Sequence, residues 1–180
     1  MTMTTEFDTI IASECERLKL DPTIVSALIL IESSGNPWAW NPEPRYRYFW
    51  NVRTNRPFRK ITEEEIKSEA APMDFPTLKG DRDQEWWGQQ ASWGLMQVMG
   101  AVAREHGFNG KYLTQLCDSE MNIHYGCQHL ALIMRGAKGD LERALATYNG
   151  GRVGNVERPF RNQFYADKVL LQRHQLGSSR

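Results

Sequence analysis

A single glutamate stands where an apolar segment gives way to a turn. The run Ile24–Ile31 is apolar except for Ser26, and Glu32 follows it directly, ahead of the turn sequence Ser33–Pro37. Burial at the end of a core helix disfavours the charged form of a carboxyl group and raises its pKa. A glutamic acid that keeps its proton near neutral pH can donate it, so Glu32 is the candidate general acid. On position alone, a helix-end glutamate that reaches solvent or an arginine is the alternative.

Two further short segments combine polar residues with glycine beside apolar helical patterns. They are Ser92–Gln97 and Ala146–Gly151, and Tyr165 lies in the closing helical segment. Taken alone, each has a structural explanation, because the Asn149–Gly150 pair could be a plain C-terminal turn of a helix. Their order along the chain, with Glu32 first, predicts that several helix ends meet at one cleft.

The helix that leads to Glu32 has a clear beginning. A first amphipathic helix is predicted to end near Lys19. Asp21 and Pro22 then supply the N-cap residue and the first-turn proline that typically open a helix. The candidate acid is therefore expected on a rigid element.

Helical periodicity also returns after Gly94. The segment Leu95–Val102 has a helical period, and Asp118 and Asp140 are the N-cap candidates of two later helices. Strand patterns are scarce, and 180 residues suit one domain. We therefore predict a mainly α fold that forms a single domain over residues 1–180.

Residues 43–91 differ in composition from the helical parts that flank them. Proline, arginine and aromatic residues are frequent, and the one clear helix signal is a capping box at Thr62–Glu65. We predict an insertion of loops, a short hairpin and one helix. Its basic aromatic stretch Arg45–Trp50 could bind nucleic acid, but the absence of net charge favours a flap packed over a groove.

The overall composition argues against several function classes. Lys and Arg together number 22, as do Asp and Glu, so no net charge attracts nucleic acid or an anionic membrane. No apolar segment approaches the roughly 18 residues of a membrane span. The cysteines have no CxxC spacing and the histidines have no metal spacing, so neither a disulfide framework nor a zinc site is indicated. We expect no metal, no cofactor, no nucleic-acid partner, no membrane span, and buried reduced thiols.

Taken in order, the motifs resemble those of the soluble-type lytic transglycosylases, whose catalytic domain is similar to goose-type lysozyme. The family's Glu-Ser motif matches Glu32–Ser33, and its Gly-Leu-Met-Gln motif matches Gly94–Gln97. Its Tyr-Asn-Gly/Ala-Gly motif matches Tyr148–Gly151, and its closing tyrosine segment matches Tyr165–Val169. The resemblance covers roughly residues 15–172. It implies a lysozyme-like domain in which the insertion separates the Glu helix from a Gly-Leu-Met-Gln helix.

The resemblance also implies a reaction on the glycan strands of peptidoglycan. Glu32 would protonate the oxygen of the β-1,4 bond between N-acetylmuramic acid and N-acetylglucosamine. As a carboxylate it would then accept the proton of the muramoyl 6-hydroxyl, which closes on C1 and leaves a 1,6-anhydromuramoyl end. The substrate's own N-acetyl group would stabilise the oxocarbenium-like centre, and no cofactor takes part.

Further residues carried over by motif position are expected to line the sugar groove or to face the acid. These residues are Met96, Gln97, Tyr148, Asn149 and Tyr165. Trp93 is an additional candidate, because it could, like Trp86 and Trp87, either stack on a sugar or pack the loop onto the domain. Met96 and Gln97 are expected in the groove, whereas Tyr148 and Asn149 face the acid and Tyr165 holds or tunes it.

Acids of the insertion leave a hydrolytic alternative open. If Glu85 or Asp83 reached the cleft at roughly 6.5 to 9.5 Å from Glu32, it could activate a water molecule, as in an inverting muramidase. A solvated loop charge is the simpler interpretation of each. A peptidoglycan-binding tail protein without catalytic activity is a third possibility.

The compartment of the substrate suggests a source. The first residues lack the basic and apolar parts of a secretory signal, so we expect synthesis in the cytoplasm. Together with a cell-wall substrate, this favours a phage or prophage product, either an endolysin released through a holin or a tail-associated lysin. A monomer is the favoured oligomeric state.

Overall fold

The computed structural model describes residues 7–150 and 162–178. Within them the chain forms eight α-helices, five short strands and one 3-10 helix, Leu113–Cys117. The helices are α1 (Asp8–Leu18), α2 (Pro22–Ser33), α3 (Glu63–Lys67), α4 (Arg82–Gln89), α5 (Gly100–Glu105), α6 (Ser119–Gly136), α7 (Leu141–Gly150) and α8 (Gln163–Ser178). The strands are β1 (Trp40–Pro42), β2 (Trp50–Asn51), β3 (Arg56–Pro57), β4 (Ala91–Trp93) and β5 (Val98–Met99). Among the described helices, none has both the length and the apolar character needed to cross a membrane.

The chain divides into two compact units, and one boundary falls within the residues of α6. The terminal unit comprises the described residues up to Gly35 and from Gly126 onward, and the central unit comprises residues 36–125. In the terminal unit α2 packs against α1 and α8, and α7 also packs against α8.

Helix α2 begins and ends where the sequence predicts. The Asp21 carboxylate accepts a hydrogen bond from the Thr23 N–H at 2.8 Å, and Pro22 occupies the first turn. The buried side chains of the helix include Val25 and Leu28, which have no exposed surface. Ser34 adopts a left-handed conformation with φ of 54°, which ends the helix just after Glu32.

The N-caps predicted for α6 and α7 are confirmed. Asp118 accepts a hydrogen bond from the Met121 N–H at 2.9 Å, and Asp140 accepts one from the Arg143 N–H at 3.0 Å. In each helix a side-chain oxygen satisfies a backbone donor of the first turn, which otherwise has no partner.

The strands of the central unit form two small antiparallel sheets. In the first, β4 lies between β1 and β5, with Trp40 opposite Trp93 and Ser92 opposite Met99. In the second, β2 and β3 form the short hairpin expected of the insertion, with Trp50 opposite Pro57. The capping box at Thr62 is also confirmed, and α3 follows it.

The predicted Gly-Leu-Met-Gln helix is wrong. Residues 94–97 form the turn between β4 and β5, and helix α5 begins only at Gly100. Gly94 and Gln97 have φ values of 69° and 48°, in the left-handed region that an α-helix does not use. The apolar residues between them, Leu95 and Met96, are adjacent and both buried. The helical spacing of the apolar residues in this segment was therefore misleading.

The insertion is more ordered than the sequence prediction of loops, a hairpin and one helix. It contains a second helix, α4, whose N-cap Asp81 accepts hydrogen bonds from two backbone N–H groups of the first turn. Phe49 and Trp86 stack with ring centroids 4.2 Å apart, and Phe75 packs edge-on against both rings. This aromatic cluster gives the insertion a hydrophobic core of its own.

Candidate active site

Glu32 lies in the last turn of α2, where α8 packs against that helix. Its carboxyl group is partly exposed, and its Oε1 accepts a hydrogen bond from the Oη of Tyr165 on α8. The two residues are 133 positions apart in the chain, so the packing of the two helices creates this pair. Ser33, the next residue, donates to the Ile29 carbonyl at 3.1 Å and so braces the end of the helix.

Two effects set the protonation of Glu32. Burial raises the pKa of its carboxyl group, and the hydrogen bond from Tyr165 lowers it by a smaller amount, so the net pKa lies above the ordinary value. Glu32 therefore keeps its proton to a higher pH than an exposed glutamate does. Burial and the nearby Glu32 charge also raise the pKa of Tyr165, so its phenol remains a hydrogen-bond donor.

Tyr148 on α7 lies close to the same carboxyl group. Burial raises the pKa of Tyr148 well above its usual value, and the charge of Glu32 raises it further. Its ring packs against His129, with centroids 5.6 Å apart. Asn149, the next residue, is exposed, and its Oδ1 accepts a hydrogen bond from Asn162 Nδ2 at 2.8 Å. Gly151, the end of the motif, lies outside the described residues.

Gln97 belongs to the central unit, where its side chain closes the turn between β4 and β5. Its Nε2 donates to the carbonyl oxygens of Gly94 at 2.9 Å and Ala39 at 3.2 Å. Its Oε1 accepts a hydrogen bond from Ser92 Oγ at 2.8 Å. Both hydrogens of the amide group thus have partners within the unit, and direct donation to a sugar would require one of these bonds to be exchanged. Its sugar-binding role stays a prediction.

Asn122 on α6 holds the same turn, a role that was not predicted from the sequence. Its Oδ1 accepts a hydrogen bond from the Met96 N–H at 2.8 Å, and its Nδ2 donates to the carbonyl oxygens of Trp93 at 2.7 Å and Leu116 at 2.9 Å. The side chain is fully buried. The sequence signal that could have indicated this role is an amide residue next to the apolar Ile123 within a helical pattern. Such a residue is expected to be buried, and a buried amide group usually forms hydrogen bonds with backbone groups.

Met96 and Trp93 differ in how far a ligand could contact them. The Met96 side chain is 0% exposed and packs in the core of the central unit, so in this conformation no ligand contacts it. Trp93 is 9% exposed, its Nε1 donates to the Gly88 carbonyl at 3.0 Å, and its ring packs against Trp40 with centroids 6.1 Å apart. A sugar contact of Trp93 stays a prediction.

The two candidate second acids support the central unit. Glu85 forms a buried bidentate ion pair with Arg104, with N–O distances of 2.7 and 2.8 Å, and also accepts a hydrogen bond from Gln89 at 2.9 Å. Asp83 accepts a hydrogen bond from the Ala71 N–H at 2.7 Å. These contacts hold both acids within the central unit, and they give no support to a role of either acid in activating water. Within residues 7–150 and 162–178, no three metal-ligating side chains form a cluster.

The fold and the Glu32 site together define a class of protein. A partly buried carboxyl group with a raised pKa, which accepts a hydrogen bond from a tyrosine of a second helix, has the properties that a general acid needs. The family model described as the transglycosylase SLT domain matches residues 9–171, so the chain belongs to this family. It is a peptidoglycan lytic transglycosylase by class, and the predicted lysozyme-like, mainly α fold is confirmed.

Proposed function

We propose that Glu32 is both the acid and the base of a non-hydrolytic cleavage of peptidoglycan. The bond cleaved is the β-1,4 linkage from N-acetylmuramic acid to N-acetylglucosamine, and the product end is a 1,6-anhydromuramoyl group. The observation that carries this proposal is the raised pKa of a carboxyl group that also accepts a hydrogen bond from Tyr165. Membership of the transglycosylase family supports the reaction type.

In the first step Glu32 acts as an acid. Because the Tyr165 hydroxyl occupies Oε1, the acidic proton belongs on Oε2, from which it passes to the glycosidic oxygen. The bond between that oxygen and C1 then breaks, and positive charge develops at C1. The acetamido oxygen of the same sugar stabilises this charge in place of a second protein carboxylate.

In the second step Glu32 acts as a base. Its carboxylate accepts the proton of the muramoyl 6-hydroxyl while the oxygen of that group forms a bond to C1. The enzyme regains its proton and no water is consumed. The hydrogen bond from Tyr165 stabilises the carboxylate between the two steps, which limits the free-energy cost of ionising a partly buried group.

Glu32→Gln tests the assignment. The variant keeps the size of the side chain but cannot transfer a proton, so clearing of a peptidoglycan suspension is expected to slow by about 10²- to 10⁴-fold. Glu16→Gln is the matched control, because Glu16 is an exposed glutamate of α1 in the same unit. Clearing by Glu32→Gln at the normal rate would show that another residue is the acid.

Mass spectrometry of the digest tests the reaction type. Anhydro ends are lighter by one water than the reducing ends that a hydrolase leaves. Reducing ends would contradict the proposal and support the hydrolytic alternative, with Glu85 or Asp83 as the acid that activates water. Sugar binding without any cleavage would support a binding protein.

We further propose that the enzyme is a phage or prophage lysin that acts as a monomer, either an endolysin or a component of the virion tail. The cell-wall substrate lies outside the cytoplasmic membrane, so an enzyme made in the cytoplasm needs a route to it. Expression in a bacterial host with and without a holin tests the first role, for which lysis is expected only with the holin. Detection in purified virions would instead support the tail role.

A further inference from the structure

A cavity of about 470 Å³ lies within the central unit. Its volume falls in the range of roughly 300–1,000 Å³ that is typical of small-molecule sites. The aromatic residues that line it are Trp40, Trp87, Trp93 and Tyr112. All of its lining residues belong to the central unit, whereas Glu32 belongs to the terminal unit.

Two of the indole rings are fixed by hydrogen bonds to the backbone. Trp87 Nε1 donates to the Glu69 carbonyl at 3.1 Å, and Trp93 Nε1 donates to the Gly88 carbonyl. Because these N–H groups have protein partners, a ligand meets mainly the apolar surfaces of the rings. Fixed rings also lose little conformational entropy when a ligand binds.

The aromatic surface is unusually open for a folded protein. Trp40 is 57% exposed, Trp87 is 43% exposed and Tyr112 is 41% exposed. Large aromatic side chains left exposed beside one another are a feature of binding sites rather than of cores. The cavity is thus a preformed pocket with aromatic walls.

The polar groups of the cavity suit a neutral ligand. The Gln84 carboxamide and the Thr114 hydroxyl both line it, and neither side chain has a hydrogen-bond partner among the residues that the structure describes. Asp81 and Lys111 carry opposite charges, and the Lys111 ammonium lies over the Tyr112 ring, 4.8 Å from its centroid. Arg104 neutralises Glu85. A ligand with several hydroxyl or amide groups and no net charge matches this lining better than an anion or a cation does.

We propose that this cavity binds a pyranose ring of an N-acetylated glycan. A pyranose has an apolar face of C–H groups, which packs on the electron-rich face of an indole ring, and a polar edge that Gln84 and Thr114 can reach. The acetamido group adds both a methyl group and an amide, in keeping with the mixed lining. The choice of an N-acetylated sugar rests on the proposed function, whereas the aromatic cavity itself does not. By means of this cavity, the insertion would hold the glycan strand.

Binding of N,N′,N″-triacetylchitotriose to the full-length Glu32→Gln protein tests this proposal without turnover. Saturable binding is expected, with shifts of the indole N–H resonances of Trp87 and Trp93. Trp87→Ala and Tyr112→Ala, each made in the same background, are expected to weaken binding at least about fivefold, since each removes an aromatic contact surface. Cellotriose, which has no acetamido groups, is expected to bind more weakly than the acetylated trimer.

Trp38→Ala is the matched control. Trp38 is 75% exposed and belongs to the same unit but does not line the cavity, so its removal is expected to leave binding unchanged. Circular dichroism and the thermal midpoint show whether each variant is folded. Because there are two cavity variants, the test can still be made if one of them does not fold.

The proposal is overturned if the acetylated trimer shows no saturable binding or if both folded cavity variants bind like the parent. Equal binding of cellotriose overturns the part that concerns the acetamido group. Failure of the proposed function has a different signature, which is normal clearing by Glu32→Gln whatever the cavity variants do.

Discussion

Glu32 is subject to two opposing effects that suit a group with two successive tasks. Burial favours the protonated form needed to protonate the leaving oxygen, and the Tyr165 hydroxyl favours the carboxylate needed to deprotonate the attacking one. A fully desolvated acid would ionise too reluctantly, and an exposed one would lose its proton below neutral pH. The partly exposed position at the end of α2 lies between these limits.

Tyr165→Phe tests the second of these effects. Loss of the phenol removes the hydrogen bond that lowers the pKa of Glu32, so that pKa should rise further. The high-pH limb of the kcat/KM profile, where the acid loses its proton, is expected to move to higher pH. The rate at the optimum should fall about tenfold, because one charge-assisted hydrogen bond to the carboxylate is lost.

Tyr46→Phe is the control for this variant, since it also removes the phenol of a half-buried tyrosine but from the central unit. Its pH profile should match that of the unmodified enzyme. A profile of Tyr165→Phe that kept its limbs while only the maximum fell would indicate that Tyr165 does not tune the acid.

The raised pKa of Glu32 also predicts how stability depends on pH. Above the unfolded value of 4.5 the folded state keeps a proton that the unfolded state releases, so the free energy of unfolding falls as pH rises towards the folded pKa. Glu32→Gln removes this effect. Relative to the unmodified protein, the variant should therefore gain stability between about pH 4 and about pH 8, by about 1.4 kcal/mol per unit of pKa elevation.

Urea denaturation at both pH values measures this difference, with Glu16→Gln as the reference. A relative loss of stability of Glu32→Gln at the higher pH would mean that Glu32 is stabilised as a carboxylate in the folded protein.

At the scale of secondary-structure elements, the sequence predicts helix ends better than the turn that carries the Gly-Leu-Met-Gln motif. The caps at Asp21, Thr62, Asp118 and Asp140 were predictable because each acts within the first turn of its own helix. The turn at residues 94–97 instead depends on Asn122, which is 26 positions beyond Met96.

Helix α4 and the acid–phenol pair show the same limit. Local sequence favours solvated loop charges for Asp83 and Glu85, because the stacking of Trp86 on Phe49 that accompanies α4 joins residues far apart in the chain. The family resemblance implied that Tyr165 holds or tunes Glu32, but only the packing of α8 on α2 establishes their hydrogen bond. The roles of the sugar-binding residues remain predictions.

Gly94→Ala tests how tightly Asn122 closes the turn. A Cβ atom at residue 94 would lie 2.4 Å from Asn122 Nδ2 and 2.6 Å from the Leu116 carbonyl oxygen, so the backbone must move. Gly107 is the matched control, because its φ of 92° is also left-handed and no atom lies within 4 Å of an added Cβ. Gly107→Ala should cost about 1–2 kcal/mol for its backbone conformation alone.

Gly94→Ala should cost at least about 2 kcal/mol more, in the range of severe core overpacking. Urea denaturation of both variants gives the difference directly. Equal costs would mean that the turn can shift away from α6.

At the scale of the whole chain, the sequence of the central unit is inserted within that of the terminal unit. Residues 36–125 form the central unit, and the segments before and after them form the terminal unit. Glu32 and Tyr165 both belong to the terminal unit, so the acid and its donor come from the two sides of the inserted segment. The central unit has its own stabilising features, which are the aromatic cluster and the buried Glu85–Arg104 pair.

Glu85→Gln tests the contribution of that pair to the stability of the molecule. The change leaves the Arg104 guanidinium buried without its counter-charge, so the free energy of unfolding should fall by about 3–5 kcal/mol. Asp74→Asn is the control, because it breaks an exposed ion pair with Arg59 in the same unit and should cost less than about 1 kcal/mol. A loss below about 1 kcal/mol for Glu85→Gln would mean that water or another group compensates Arg104.

The three thiols are distributed so that they can report on the two units separately. Cys15 and Cys127 are buried in the terminal unit, and Cys117 is buried in the central unit. A thiol reagent reaches a buried cysteine only when the surrounding structure opens. Alkylation in rising denaturant, followed by peptide mapping, therefore establishes which half of the enzyme loosens first, with no engineered probe.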